Sequence, residues 1–221
     1  EVIQDYVTTK KDYPFNLPLT KITSMEFKLE KTMLTICRNK ITSDKPILVD
    51  MQGDVLRIWN TQVTPHNVLG TQGNTYVDGY DILDFDNNAI KCAYDYKTCE
   101  WDIPYLEPVK RLTLNGNGNS LSINELSKDM SFRILGKNKL YIKSQDFNAL
   151  TIGTTNSVFK FDGSSCDTLS ANIRGTGLIE ELSINTYAHT TLIGSQTICL
   201  NIKEGGTYKN SVHGPGQIVF I

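Results

Sequence analysis

Along the second half of this chain, from about Val109 to Ile221, apolar and polar residues alternate in a phrase that recurs six times. Each copy runs apolar-x-apolar, Gly, a polar corner, then apolar-x-apolar again. The first halves are Leu112-Thr113-Leu114, Phe132-Arg133-Ile134, Leu150-Thr151-Ile152, Ala171-Asn172-Ile173, Thr190-Thr191-Leu192 and Asn210-Ser211-Val212. The second halves are Leu121-Ser122-Ile123, Leu140-Tyr141-Ile142, Phe159-Lys160-Phe161, Leu182-Ser183-Ile184, Ile198-Cys199-Leu200 and Ile218-Val219-Phe220. The corner glycines read as 116, 136, 153, 175, 194 and 214, spaced 20, 17, 22, 19 and 20.

Alternation with period two is a strand with one face inward. A composite unit recurring at about twenty residues is a solenoid rung, because one copy cannot bury its own inward face and a stack can. Each buried Leu, Ile, Val or Phe then contributes roughly 1.5–3 kcal/mol. Up-and-down barrels and sandwiches also alternate, but they lack a two-strand unit around a single Gly. The expectation is an all-β, single-domain parallel β-helix or β-roll with an inserted antiparallel hairpin region. Leu114, Ile134, Ile152, Ile173, Leu192 and Val212 should share one inward column.

Gly175-Thr176-Gly177, Gly214-Pro215-Gly216 and the run from Gly205-Gly206 through Val212-His213-Gly214 to Gln217-Ile218 resemble the auto-transporter adhesin head, GIN domain family. Its hallmark is a repeated small-Gly-x-Gly phrase in a β-helix. The resemblance covers about 104–221, and Met25 to Trp59 resembles the family's opening strands. It implies a parallel β-helix in a bacterial envelope setting and carries over no catalytic residue. Corners reading Gly-Lys-Asn, Gly-Thr-Thr and Gly-Ser-Gln depart from the pattern, as does an apparent insertion.

Upstream, residues 1–24 read as an extended lead-in strap, since Pro14 and Pro18 forbid a helix interior. The β-helix then runs over 25–221. Phe27-Lys28-Leu29, Leu34-Thr35-Ile36, Ile47-Leu48-Val49 and Val55 to Trp59 read as its first rungs, or as a separate antiparallel layer. Residues 60–103 form a hairpin-rich insertion. Asp78-Gly79 is a strong hairpin signal there, and the segment from Tyr76 to Tyr105 holds 7 of the chain's 20 aromatics. If Asp95 and Tyr96 form a tight turn, Cys92 and Cys99 face each other, and a disulfide is geometrically allowed in an oxidising compartment. Tyr94, Tyr96 and Trp101 sit near that tip and are the candidate contacts for a glycan or a protein partner. The plainer role for these rings is to cover an end of the solenoid.

Composition narrows the function. A formal net charge of −2 and the lack of a basic run give no electrostatic case for nucleic acid. No apolar stretch approaches the ~20 residues of a membrane-spanning helix. Cys37, Cys166 and Cys199 read as small buried hydrophobes, with Cys199 as a candidate outward residue. Abundant Lys, Asn, Ile and Thr fit an AT-rich genome, either a Bacteroides-like bacterium or a large DNA virus.

Candidate chemistry is sparse. Asp78, Asp81, Asp84 and Asp86 lack the central Gly and closing Glu of a calcium loop, so no metal is expected. His66, His189 and His213 have no second ligand at metal spacing. No nucleophile elbow exists, and no cofactor is expected. The reading is a non-enzymatic surface or structural module, for adhesion or for assembly of an envelope or virion, with homo-oligomerisation left open. The alternative is a carbohydrate-binding or polysaccharide-degrading β-helix.

Overall fold

A computed structural model describes residues 22–37, 40–45, 47–52, 54–60, 75–77, 80–82, 89–91, 99–102, 106–124 and 126–221. Among them the chain is all-β, built around a parallel β-solenoid. One ladder stacks β1 (Ile22–Lys28), β10 (Leu106–Asn115), β12 (Leu126–Leu135), β14 (Asp146–Thr154), β15 (Val158–Arg174), β16 (Leu178–Ile193) and β18 (Thr207–His213). A second ladder, beyond the corner, stacks β2 (Met33–Cys37), β11 (Ser120–Ile123), β13 (Lys139–Ile142) and the starts of β15 and β16. It ends with β17 (Thr197–Ile202) paired to β19 (Gln217–Phe220). A short third ladder closes each turn, with Phe147, Cys166 and Ile184 in register.

The alternation places three inward columns on the first ladder, one of them Met130, Leu150, Leu169, Ala188, Tyr208. A second runs Phe27, Leu114, Ile134, Thr154, Ile173, Leu192, Val212. The third runs Met25, Leu112, Phe132, Ile152, Ala171, Thr190, Asn210. Ile152 therefore stacks one column away from its expected place, though on the same inward face. The cause is Gly153, an ordinary strand residue that registers with Arg133 and Asn172 and makes no turn. The true corner of that rung is Thr155-Asn156-Ser157. Thr155 replaces glycine there, and its Oγ1 accepts the Gly136 N–H at 2.8 Å. The starts of the second ladder, Ser120, Lys139, Val158 and Leu178, register on one another at spacings of 19, 19 and 20. The apparent spacings of 17 and 22 came from counting Gly153. Thr154 takes an apolar place at 4% exposure, and its hydroxyl donates to Ile134 O at 3.0 Å.

The corner has its own buried column, which is polar. Asn119 Nδ2 donates to Leu29 O and to Asn138 Oδ1, both at 2.8 Å. Asn138 Nδ2 donates to Gly116 O at 2.9 Å, and Ser157 Oγ donates to Gly136 O at 2.7 Å. Thr32 N donates to Asn119 Oδ1 at 3.0 Å, extending the column to the first rung. These side chains satisfy carbonyls that the turn would otherwise strand out of water, which is costly. Further along, Gln196 Nε2 reaches Gly177 O at 2.8 Å. The middle of the core is aromatic: Phe132, Phe147, Phe159 and Phe161 pack edge-on or stacked at centroid distances of 5.4–6.3 Å.

The antiparallel part opens at Lys40, earlier than the expected insertion at 60, and all of it lies in sequence between the first rung and the second. β3 (Lys40–Ser43) pairs antiparallel with β2, and β9 (Cys99–Asp102) pairs with β3. On the first ladder β5 (Val55–Asn60) adds parallel to β1, then β4 (Ile47–Gln52) and β8 (Ala89–Lys91) add antiparallel. β6 (Thr75–Val77) and β7 (Tyr80–Ile82) pair antiparallel as a separate two-stranded sheet, and the expected Asp78-Gly79 turn lies outside the described residues. The region between the first two rungs thus extends both main ladders at one end. Asp54, in the turn between β4 and β5, accepts the Thr23 hydroxyl at 2.5 Å, a bond that holds its carboxyl below the usual range.

Two substitutions test this geometry. A Cβ on Gly136, at φ +103°, would stand 1.9 Å from Gly116 O. At Gly163, with φ +77°, it would meet nothing within 4 Å. Gly163→Ala should cost about 1–2 kcal/mol for its left-handed backbone, and Gly136→Ala clearly more; equal losses in urea unfolding would refute the close approach. Asn138→Leu should cost about 3 kcal/mol or more, because Gly116 O and the Asn119 amide lose their partners. An unchanged unfolding midpoint would mean that the polar column carries no stability.

Candidate functional site

The expected contact residues fall largely outside what the structure describes. Cys92, Tyr94 and Tyr96 lie outside the described residues. Trp101 and Cys99 belong to β9, opposite Ile41 and Ser43, and their side chains are outside the described set. His66, Asp78, Asp84 and Asp86 are outside it as well. Asp81 sits in β7, opposite Tyr76. His189 and His213 are exposed on the outer surface of the first ladder.

Several of the described carboxylates are tied to a neighbouring turn. Lys160 Nζ is 3.9 Å from Glu180 Oε2, and Arg57 Nε is 3.7 Å from Glu26 Oε2. Ser165 Oγ donates to Asp146 Oδ1 at 2.6 Å, and Asn185 Nδ2 donates to Asp167 Oδ1 at 2.8 Å. No group of three or more His, Cys, Asp or Glu able to hold a metal ion occurs among the described residues. Among them too, no helix is long and apolar enough to cross a membrane.

Two surface features stand out. The first is a groove of about 700 Å³ along the outside of the glycine corner, lined by Asn117, Ser120, Lys137, Lys139, Asn156 and Thr176 among others. Its shape follows from the stack, since each corner presents one polar side chain above the next. Asn117 Oδ1 accepts the Lys137 N–H at 2.9 Å, and Asn156 Oδ1 accepts the Thr176 N–H at 3.0 Å. The groove is thus lined by exposed Asn, Lys and Thr side chains, whose amide and ammonium groups can donate hydrogen bonds, beside apolar surface.

The second feature is the end of the solenoid at β18 and β19. Among the described residues no strand pairs with the outer edge of either. The inward positions of this last turn are less covered than those of the turns before it: Tyr208 is 53% exposed, Val212 and Phe220 are half-buried, and Ile218 is buried. Tyr208 stacks on Phe220 at 3.9 Å between centroids. At the opposite end the first rung is covered, and Met25, Phe27, Leu34 and Ile36 are all buried beneath β5 and β3.

No family model, no curated protein and no solved structure matches the chain. The resemblance to the GIN domain family therefore stays a resemblance of motifs, and geometry has to carry the functional argument.

The open end was within reach of sequence reasoning, because the last copy is the only one with a polar Asn210 and an aromatic Tyr208 at inward places. The groove was visible only as departures from Gly-x-Gly. Cys37 corrects an expectation: it is exposed, because strict alternation turns it outward next to the inward Ile36. Cys199 is exposed for the same reason, and Cys166 alone of the three is buried. Burial pushes the Cys166 thiol up to about 12, with Asp167 adding to the shift. Iodoacetamide at pH 8 followed by peptide mapping should mark Cys37 and Cys199 and spare Cys166 until the chain is unfolded. Fast labelling of Cys166 in the native protein would contradict the inward placement.

Proposed function

We propose that this chain is a non-catalytic structural module that works by docking the open end of its β-solenoid onto other β-structure. Adhesion at a bacterial envelope and assembly within a virion are the two settings that fit. The observation that carries the reading is the contrast between the two ends. One is extended by five strands drawn from 40–102, whereas the other, among the described residues, has strand edges without a partner and exposes Tyr208. An unpaired edge beside an exposed apolar surface is a template for association. The motif resemblance to an adhesin-head family and the AT-rich composition support the setting. The engagement of Glu26, Asp146, Asp167 and Glu180 with neighbouring turns supports a scaffold over a polysaccharide-cleaving enzyme.

A second reading has its own observation. The corner groove, with its row of outward amides and two lysines, has the volume of a small-ligand site and suits a glycan. The two readings separate by experiment. Light scattering on a concentration series should give masses above the 24.8 kDa of one chain, returning to that value for a folded Phe220→Asp variant. A wild-type chain that stays at the single-chain mass at every concentration would count against self-docking. Binding on a glycan array that is lost with Lys139→Ala would favour the groove instead.

A further inference from the structure

We propose that two copies of this chain join end to end through β18, which pairs antiparallel with its own counterpart about a two-fold axis at Asn210. This rests on the docking reading above and names the partner as a second copy.

The backbone sets the register. Gly194 N donates to His213 O at 3.2 Å, so the peptide groups of His213 point back toward β16. Successive strand residues alternate in direction. Tyr208, Asn210 and Val212 therefore aim their N–H and C=O at the open edge. In an antiparallel pair, two directly opposed residues exchange both bonds. A two-fold axis at Asn210 places it opposite the partner's Asn210, and places Tyr208 opposite the partner's Val212. Every outward-aimed peptide group over that span then finds a mate.

The side chains agree with this register. Tyr208, Asn210 and Val212 continue the inward columns of Ala188, Thr190 and Leu192. The two cores would become one, with an aromatic residue facing a β-branched one across the strands, a favourable pair. On the outer face Lys209 meets the partner's Ser211, and Thr207 meets the partner's His213. Like charges never oppose. Residues 207–221 carry a single formally charged side chain, Lys209, and depletion of charge is typical of an interface core.

Edge strands that must stay unpaired carry inward charges, prolines or bulges. β18 has none of these, and its register on β16 is unbroken from Thr207 to His213. The covered first rung explains why the assembly stops at two. Head-to-tail growth needs both ends free, whereas a self-complementary contact closes on itself.

The test uses the position on the axis, where each residue meets itself. Asn210 is exposed in the single chain, so a charge there leaves the fold intact. By sedimentation velocity the wild type should run at twice the single-chain mass. Asn210→Asp alone and Asn210→Lys alone should each associate about 100-fold more weakly or worse. An equal mixture of the two should recover the dimer. A mixture no better than its components, a dimer indifferent to charge at 210, or growth beyond two copies would overturn this inference and leave docking by the open end standing. A wild type that is monomeric throughout would overturn this inference and every form of self-docking.

Discussion

The structure depends on how closely successive corners approach. A Cβ on Gly116 would lie 1.7 Å from Leu29 O, and one on Gly136 would lie 1.9 Å from Gly116 O. Backbone therefore rests on backbone from turn to turn, and only glycine or a shortened turn such as Thr155-Asn156-Ser157 fits. Such contact leaves carbonyls out of water, and Asn119, Asn138 and Ser157 answer them from the buried column beside the turn. Fixing the corner fixes the register of both strands that leave it. The inward columns follow, because a slip of one residue would turn every Leu and Ile outward.

Repetition makes a core of any length but always leaves two ends. Here the ends differ. The strands between the first and second rungs lie across one end and bury Phe27, Leu34 and Ile36. At the other, Tyr208, Asn210 and Val212 hold inward positions on which, among the described residues, no further strand stacks. The faces are committed to rung-to-rung ties such as Lys160 to Glu180 and Ser165 to Asp146. Function by contact at the open end is what this distribution supports best.

Much of the fold was legible in the sequence, because period-two alternation and a repeat near twenty have few other solutions. The failures were local. Gly153 was mistaken for a corner because a glycine in a strand looks the same on paper as a glycine in a turn; only register separates them. That mistake hid a nearly constant spacing and moved Ile152 by one column. Asn119, Asn138 and Ser157 recur at intervals of 19, yet only Asn138 stood out, as a departure from Gly-x-Gly, since a buried polar column becomes meaningful only once carbonyls stack beside it. Cys37 was assigned by residue type where alternation should have decided. The antiparallel extension starting at Lys40 was not legible, because parallel and antiparallel strands share one hydrophobic pattern. The aromatic contacts Tyr94, Tyr96 and Trp101 rest on composition and a turn signal alone. The docking end rests on positions the repeat itself defines.

The central claim is that the outward-aimed peptide groups of β18 are free in one chain and paired in the assembly. Residue-resolved amide hydrogen exchange measures this directly. The account predicts that the amides of Tyr208, Asn210 and Val212 exchange quickly in dilute protein and become protected as concentration rises. Those of Lys209, Ser211 and His213, already turned toward β16, should stay slow throughout. Fast exchange at Tyr208, Asn210 and Val212 at every concentration would contradict it.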